Sequence, residues 1–150
     1  MWEEKLNELK NEFKFYSKEL NLGASDEDIE LVTSEARKLL GEDLPQAYLD
    51  MLKVVNGFEF SGFVFYGIDE ELLGYKPRQR INGVLDLNEI WHDNEWPEGY
   101  IFIGDDSISW YVFSSKEGEY YVLDRPSGDI VETYSSFEEI FESLLSTCLL

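Results

Sequence analysis

Apolar residues recur along the first twenty positions at intervals of four and three. Trp2, Leu6, Leu9, Phe13, Tyr16 and Leu20 fall on one stripe, and lysines and glutamates fill the remaining positions. The spacing predicts an amphipathic helix over residues 2–20, within an N-terminal helical segment of residues 1–22. "NLGAS" interrupts it. Ser25, with Asp28 three residues on, is a capping box for a second helix over 26–40, which turns Ile29, Val32, Ala36 and Leu39 to one side and stops at Gly41. A third helix starts at Pro45, where a missing N–H costs nothing, carries Tyr48, Leu52 and Val55 inward, and ends at Asn56-Gly57.

The period then changes. "FEFSGFVFYGI" is aromatic and β-prone and predicts short strands at 58–60 and 63–68. Residues 69–83 have no period and read as an irregular excursion. A short helix over 84–94 places Val84, Leu87 and Trp91 inward. Strands follow at 100–103, 108–114, 119–124 and 129–133, joined by turns at "SKEG" and "RPSG", so the spacing implies an antiparallel meander. Ser135 and Glu138 are expected to cap a last helix whose apolar face is Phe137, Ile140, Phe141 and Leu144. The alternation of helical and strand periods predicts an α+β fold. It is a single domain over 1–150, with a mostly antiparallel sheet of five to six strands flanked by N-terminal, central and C-terminal helices.

Charge changes the picture more than composition does. Twelve lysines and arginines stand against 32 aspartates and glutamates, a net charge of −20. Residues 1–80 hold 17 acids and 10 bases, a net of −7; residues 81–150 hold 15 acids and 2 bases, a net of −13. Such a surface repels nucleic acid and anionic membrane, whose affinity for proteins comes from lysine and arginine. It favours a basic protein partner. The charged N-terminus lacks the apolar run of a signal peptide, and no apolar segment approaches the ~18 residues of a membrane span, so a cytoplasmic location is expected. One cysteine, Cys148, forms no internal disulfide.

The candidate chemistry is thin. One histidine, His92, and one cysteine in a tail fill neither a nucleophile–base pair nor a tetrahedral zinc site. No phosphate-cradling glycine loop occurs. "GDDSIS", with Asp105 and Asp106 adjacent, lacks the spacing of a calcium loop, and neighbouring residues of an extended chain point to opposite faces. Gly104 and Asp105 read as a turn between two core strands, and Asp106 as surface charge. The expectation is a protein that is not an enzyme and has no metal or cofactor. The basic island Lys76, Arg78 and Arg80 follows Asp69, Glu70 and Glu71 and suits local ion pairing or recognition of an acidic group. The aromatic run 58–67 could serve as a weak homodimer contact.

The order of punctuated segments resembles the SUKH superfamily over about residues 25–145. The residues carrying the resemblance are Leu44, Pro45 and Tyr48 at a helix start, Asn56 and Gly57 at its end, and Gly67 after an aromatic strand. They continue with Ile103, Gly104 and Asp105, Gly128 in the "YYVLD" hairpin region, and Phe137 in the last helix. That superfamily includes a yeast-type cell-wall-synthesis regulator domain and many bacterial immunity proteins. The resemblance implies a cytoplasmic, non-enzymatic protein that binds and neutralises a cognate toxin, a nuclease above all, by occluding its basic active site. A protein-interaction scaffold of the regulator type is the alternative. On this reading Asp69, Glu70, Glu71, Asp105 and Asp106 are the expected charge donors to the partner, with Trp91 or Trp96 as apolar anchor.

Overall fold

Alternating aromatic and β-branched residues become six strands of one sheet. The computed structural model describes residues 2–93 and 99–149. Trp96 lies outside the described residues, as does the last residue of the helix expected over 84–94. The strands are β1 (Phe58–Phe60), β2 (Phe63–Phe65), β3 (Tyr100–Asp105), β4 (Ser109–Ser114), β5 (Glu119–Asp124) and β6 (Ile130–Tyr134). They pair antiparallel in chain order, β1-β2-β3-β4-β5-β6. The helices are α1 (Trp2–Phe15), α2 (Asp26–Leu40), α3 (Gln46–Leu52), α4 (Val84–Asp93) and α5 (Phe137–Cys148). The α+β class and the antiparallel meander thus match expectation.

The two faces of the sheet are dressed differently. On one face Phe58 and Phe65 meet Phe141 of α5, and Tyr120 meets Phe137, with ring centroids 4.7–6.1 Å apart. Trp2 of α1 also meets Phe141, at 5.4 Å. On the other face Trp110 packs edge-on against Trp91 of α4 at 5.5 Å and against Phe102 at 5.8 Å. Trp110 and Tyr111 are neighbours on β4, so their rings separate onto the two faces.

β2 pairs only with the far half of β3, at Gly104 and Asp105. The near half of β3 is met by α4 instead. The buried Asn88 amide donates to the Phe102 carbonyl at 2.8 Å and accepts from the Phe102 N–H at 2.7 Å, standing in for a neighbouring strand. The chain arrives at α4 through a tight crossing. Gly67 and Gly83 form a parallel bridge, and the Asn56 side-chain oxygen takes the Ile68 N–H at 2.8 Å. A Cβ at Gly67 would lie 2.7 Å from the Asn56 carbonyl oxygen, so the backbones approach closely enough to demand glycine there.

Several boundaries differ from the sequence reading. α1 stops at Phe15 because Ser17 turns left-handed at φ 57; Leu20 is still buried, but in the following segment, and Tyr16 is 61% exposed. The Ser25–Asp28 capping box and the left-handed Gly41 stop of α2 form as expected, although Leu39 faces solvent. β2 ends at Phe65, and Tyr66 to Ile68 continue as buried irregular chain. The excursion 69–83 contains one 3₁₀ turn, Glu70–Leu72. The cap of α5 shifts by one residue: Ser136 accepts the Glu139 N–H, and the Glu139 carboxylate reaches back to the Ser135 N–H, each at 3.2 Å. Cys148 is no frayed tail but the buried last residue of α5.

Candidate functional site

The adjacent aspartates of "GDDSIS" prove to be separate structures. β3 continues through Gly104 and Asp105, which pair with Tyr111 and Trp110 of β4, so these residues belong to the strand and the turn lies beyond them. Gly104 is required for space rather than for turning. A Cβ there would lie 2.6 Å from the Val64 carbonyl oxygen, between the rings of Phe65 and Tyr111. The turn is built by Asp106, whose N–H bonds the Ser109 carbonyl at 3.0 Å and whose carboxylate takes the Ile108 N–H at 2.9 Å.

Each carboxylate is matched to a tyrosine. The Tyr66 hydroxyl donates to Asp105, and the Tyr111 hydroxyl donates to Asp106. Burial, reinforced by the facing carboxylate, pushes the ionisation of both hydroxyls well above the ordinary tyrosine range, so each remains a donor. Burial also raises Asp105, against the opposing pull of the Tyr66 hydrogen bond and the Arg125 charge. Asp105 shares the face of Trp110, and its partner Tyr66 also receives the Trp91 indole N–H at 3.2 Å.

Arg125 completes this corner. Its guanidinium lies 5.2 Å from the Trp91 ring centroid and 5.4 Å from that of Trp110, a double cation–π contact. It donates to the Asp106 carbonyl at 2.7 Å and stands 3.8 Å from the Asp105 carboxylate. Its backbone N–H bonds the Ile108 carbonyl at 3.0 Å, which ties the β5–β6 turn to the β3–β4 turn. Ile108 projects at the tip, 69% exposed, and Ile130 at the start of β6 is 52% exposed. Asp124 and the exposed Asp129 flank this tip, with Ser127 bonded to Asp124 at 2.7 Å. The result is a corner where half-buried Trp91 and Arg125 overlie buried Tyr66, Trp110 and Tyr111, with an exposed aliphatic point and an acidic rim.

Three expected partner residues, Trp91, Asp105 and Asp106, are thus brought together, and Tyr66, Trp110, Tyr111 and Arg125 join them unannounced. Asp69 does not join. It is buried, and its two carboxylate oxygens take the Leu85 and Asp86 N–H groups at 2.9 Å each, capping α4 from a distant segment. It is corrected from a surface charge donor to a structural cap. Glu70 pairs with Arg80 at 3.2 Å, and Glu71 is exposed on the same excursion, apart from the tyrosine–aspartate pairs. The other residues of the resemblance are structural. Leu44, Ile103 and Phe137 are buried, Pro45 precedes α3, the Tyr48 hydroxyl donates to the Tyr66 carbonyl at 2.5 Å, and Gly57 and Gly128 hold positive φ. The only early signal for Arg125 was its isolation, as one of two bases after residue 80.

Among the described residues no group of three or more His, Cys, Asp or Glu side chains is placed to hold a metal ion, and no helix is long and apolar enough to cross a membrane. A comparison with curated proteins found no match. A comparison with protein families matches residues 23–143 to the SMI1 / KNR4 family (SUKH-1). That span runs from the segment before α2 into α5 and includes the whole sheet and the Arg125 corner. The chain belongs to the SMI1 / KNR4 family, SUKH-1.

Proposed function

We propose that this protein is an immunity protein, an antitoxin that binds a cognate basic toxin and occludes its active site. It works by binding and not by catalysis: the carboxylates of Asp105 and Asp106 are each engaged by a different tyrosine hydroxyl, and that of Asp106 also caps the Ile108 N–H of its own turn. The observation that carries the reading is the Arg125 corner. Tryptophan and arginine are among the residues that dominate interface energy, and here half-buried Trp91 and Arg125 stack together, with Arg125 bonded to the backbone of exposed Ile108 inside an acidic rim. The rim belongs to the half of the chain with net charge −13, which steers a basic partner toward it. A nuclease that grips a phosphate backbone presents such a basic cleft.

Affinity purification from the native cell, with rescue of cells expressing the captured toxin, tests this. The expected result is one basic toxin chain, whose capture is weakened by Ile108→Arg, a change at an exposed tip. Recovery of no basic toxin and no rescue overturns it. Capture of several cellular proteins without rescue supports instead the family's regulator-type role.

A further inference from the structure

α1 and the chain up to Leu22 precede the family-matched span, and they create a surface of their own. Lys10, Lys14 and Lys18 line one cavity of about 210 Å³ with Arg78 from the excursion. Among the described residues these three lysines make no ion pair, in a chain with 20 more acids than bases. The one acid at the cavity, Glu19, is already 3.0 Å from Arg78. Lys10 and Lys14 sit one helical turn apart on α1, where like charges oppose folding slightly, and Lys18 follows just beyond the helix, so these lysines are not there for stability.

The cavity opens onto an aliphatic wall. Lys10 and Arg78 also line an adjoining cavity of about 240 Å³ with Leu22 and Val54, which are 59% and 53% exposed. The groove is held in shape. Asn21 is buried and exchanges two hydrogen bonds with the Gln79 backbone, at 2.9 and 2.7 Å, and Arg78 donates to the Leu20 carbonyl at 3.3 Å. A prearranged groove loses little freedom on binding.

We infer that this groove between α1 and residues 76–80 binds an extended acidic peptide segment of a partner protein, with carboxylates on Lys10, Lys14 and Lys18 and one aliphatic side chain against Leu22 and Val54. Charge complementarity selects the occupant: the row of unpaired cations faces outward from an otherwise acidic molecule. The exposed part of the wall, Leu22 and Val54, is aliphatic, and the one aromatic ring of that cavity, Trp2, is partly buried against Phe141, so the wall selects peptide over single-stranded nucleic acid, which binds by stacking on aromatic faces. This surface is independent of the Arg125 corner, so a partner can occupy both.

The probe is a fluorescein-labelled peptide with a leucine between glutamates, titrated by anisotropy against the full chain. Binding is expected, weakening steeply as salt rises from about 50 to about 200 mM. The exposed-site variant K10E/K14E/K18E should weaken it about tenfold or more. Leu22→Asn with Val54→Thr should weaken it several-fold. Absence of binding at low salt, undiminished binding to the triple variant, or tighter binding of a single-stranded oligonucleotide of equal length overturns the inference. Circular dichroism of each variant checks the fold, and unchanged toxin capture by the triple variant keeps this result separate from the antitoxin reading.

Discussion

The Tyr66 hydroxyl bridges two partners from different elements: it donates to the Asp105 carboxylate of β3 and accepts from the Trp91 indole N–H of α4 at 3.2 Å. Tyr66→Phe removes both bonds and leaves a half-buried carboxylate and a half-buried indole without this partner. The expected cost is about 1–3 kcal/mol, the penalty of stranding buried polar groups. Urea unfolding with an unchanged slope would register it as a shift of the midpoint.

Asp105 itself should be expendable for stability at neutral pH. Its carboxyl is raised in the folded state, chiefly by burial, so folding favours the protonated form. The sign follows: this group's contribution is full below the ordinary carboxylate range and is lost as pH rises to the folded-state value. Asp105→Asn still accepts from Tyr66 through its amide oxygen and carries no charge to bury. Its midpoint in urea should match or exceed the parent's at neutral pH, and the advantage should shrink toward acid. A variant less stable than the parent at neutral pH would show that the Arg125 attraction outweighs burial.

Gly104→Ala puts a methyl group 2.6 Å from the Val64 carbonyl oxygen. That neighbour is backbone, held in the short β2–β3 ladder, and cannot rotate away. The expected loss is about 1–3 kcal/mol, with faster amide exchange at Val64 and Phe65. Gly118→Ala, in the β4–β5 turn, meets no neighbour but holds φ 67, so it isolates the cost of backbone strain from that of crowding.

Period and punctuation made the elements legible, because each amphipathic stripe finds its core. Trp2, Leu6, Leu9 and Phe13 lie at the core as spaced, and Ser25 caps α2 as its motif requires. The site was legible only in fragments. Trp91, Asp105 and Asp106 are identifiable as residue types, but Tyr66 lies 39 positions from Asp105 in the chain after β2, Arg125 sits in the β5–β6 turn, and both meet their partners only in the folded chain, while Tyr111 reaches Asp106 across the β3–β4 turn. "Gly-Asp" carries turn chemistry locally, and that signal was overridden by a nonlocal one: the crowding of Val64, Phe65 and Tyr111 around Gly104. Asp69 reads as one of three clustered acids, and only the fold shows that α4 begins against it.

Asp69→Ala frees the Leu85 and Asp86 N–H groups at the start of α4. The expected loss is about 1–3 kcal/mol, with exchange protection falling first in the opening turn of that helix. Asp69→Asn keeps one acceptor oxygen but turns an NH₂ toward the other N–H, so its loss should be intermediate. Hydrogen exchange resolved by residue distinguishes the two outcomes, and equal stability of all three proteins would remove Asp69 from its capping role.

Cys148 offers a direct test of how firmly α5 closes the core. The side chain is buried, its Sγ contacts the Leu145 carbonyl at 3.5 Å, and burial pushes the thiol up to about 11. Only the thiolate reacts with alkylating agents, so both exposure and charge are withheld in the native state. Iodoacetamide at mildly alkaline pH should leave Cys148 unmodified by mass spectrometry, and modification should follow the unfolding transition in urea. Raising the pH past the ordinary thiol range should loosen α5, since the folded state resists ionisation that the unfolded chain accepts. Rapid native labelling near neutral pH would mean that the last turn of α5 opens independently of the sheet it covers.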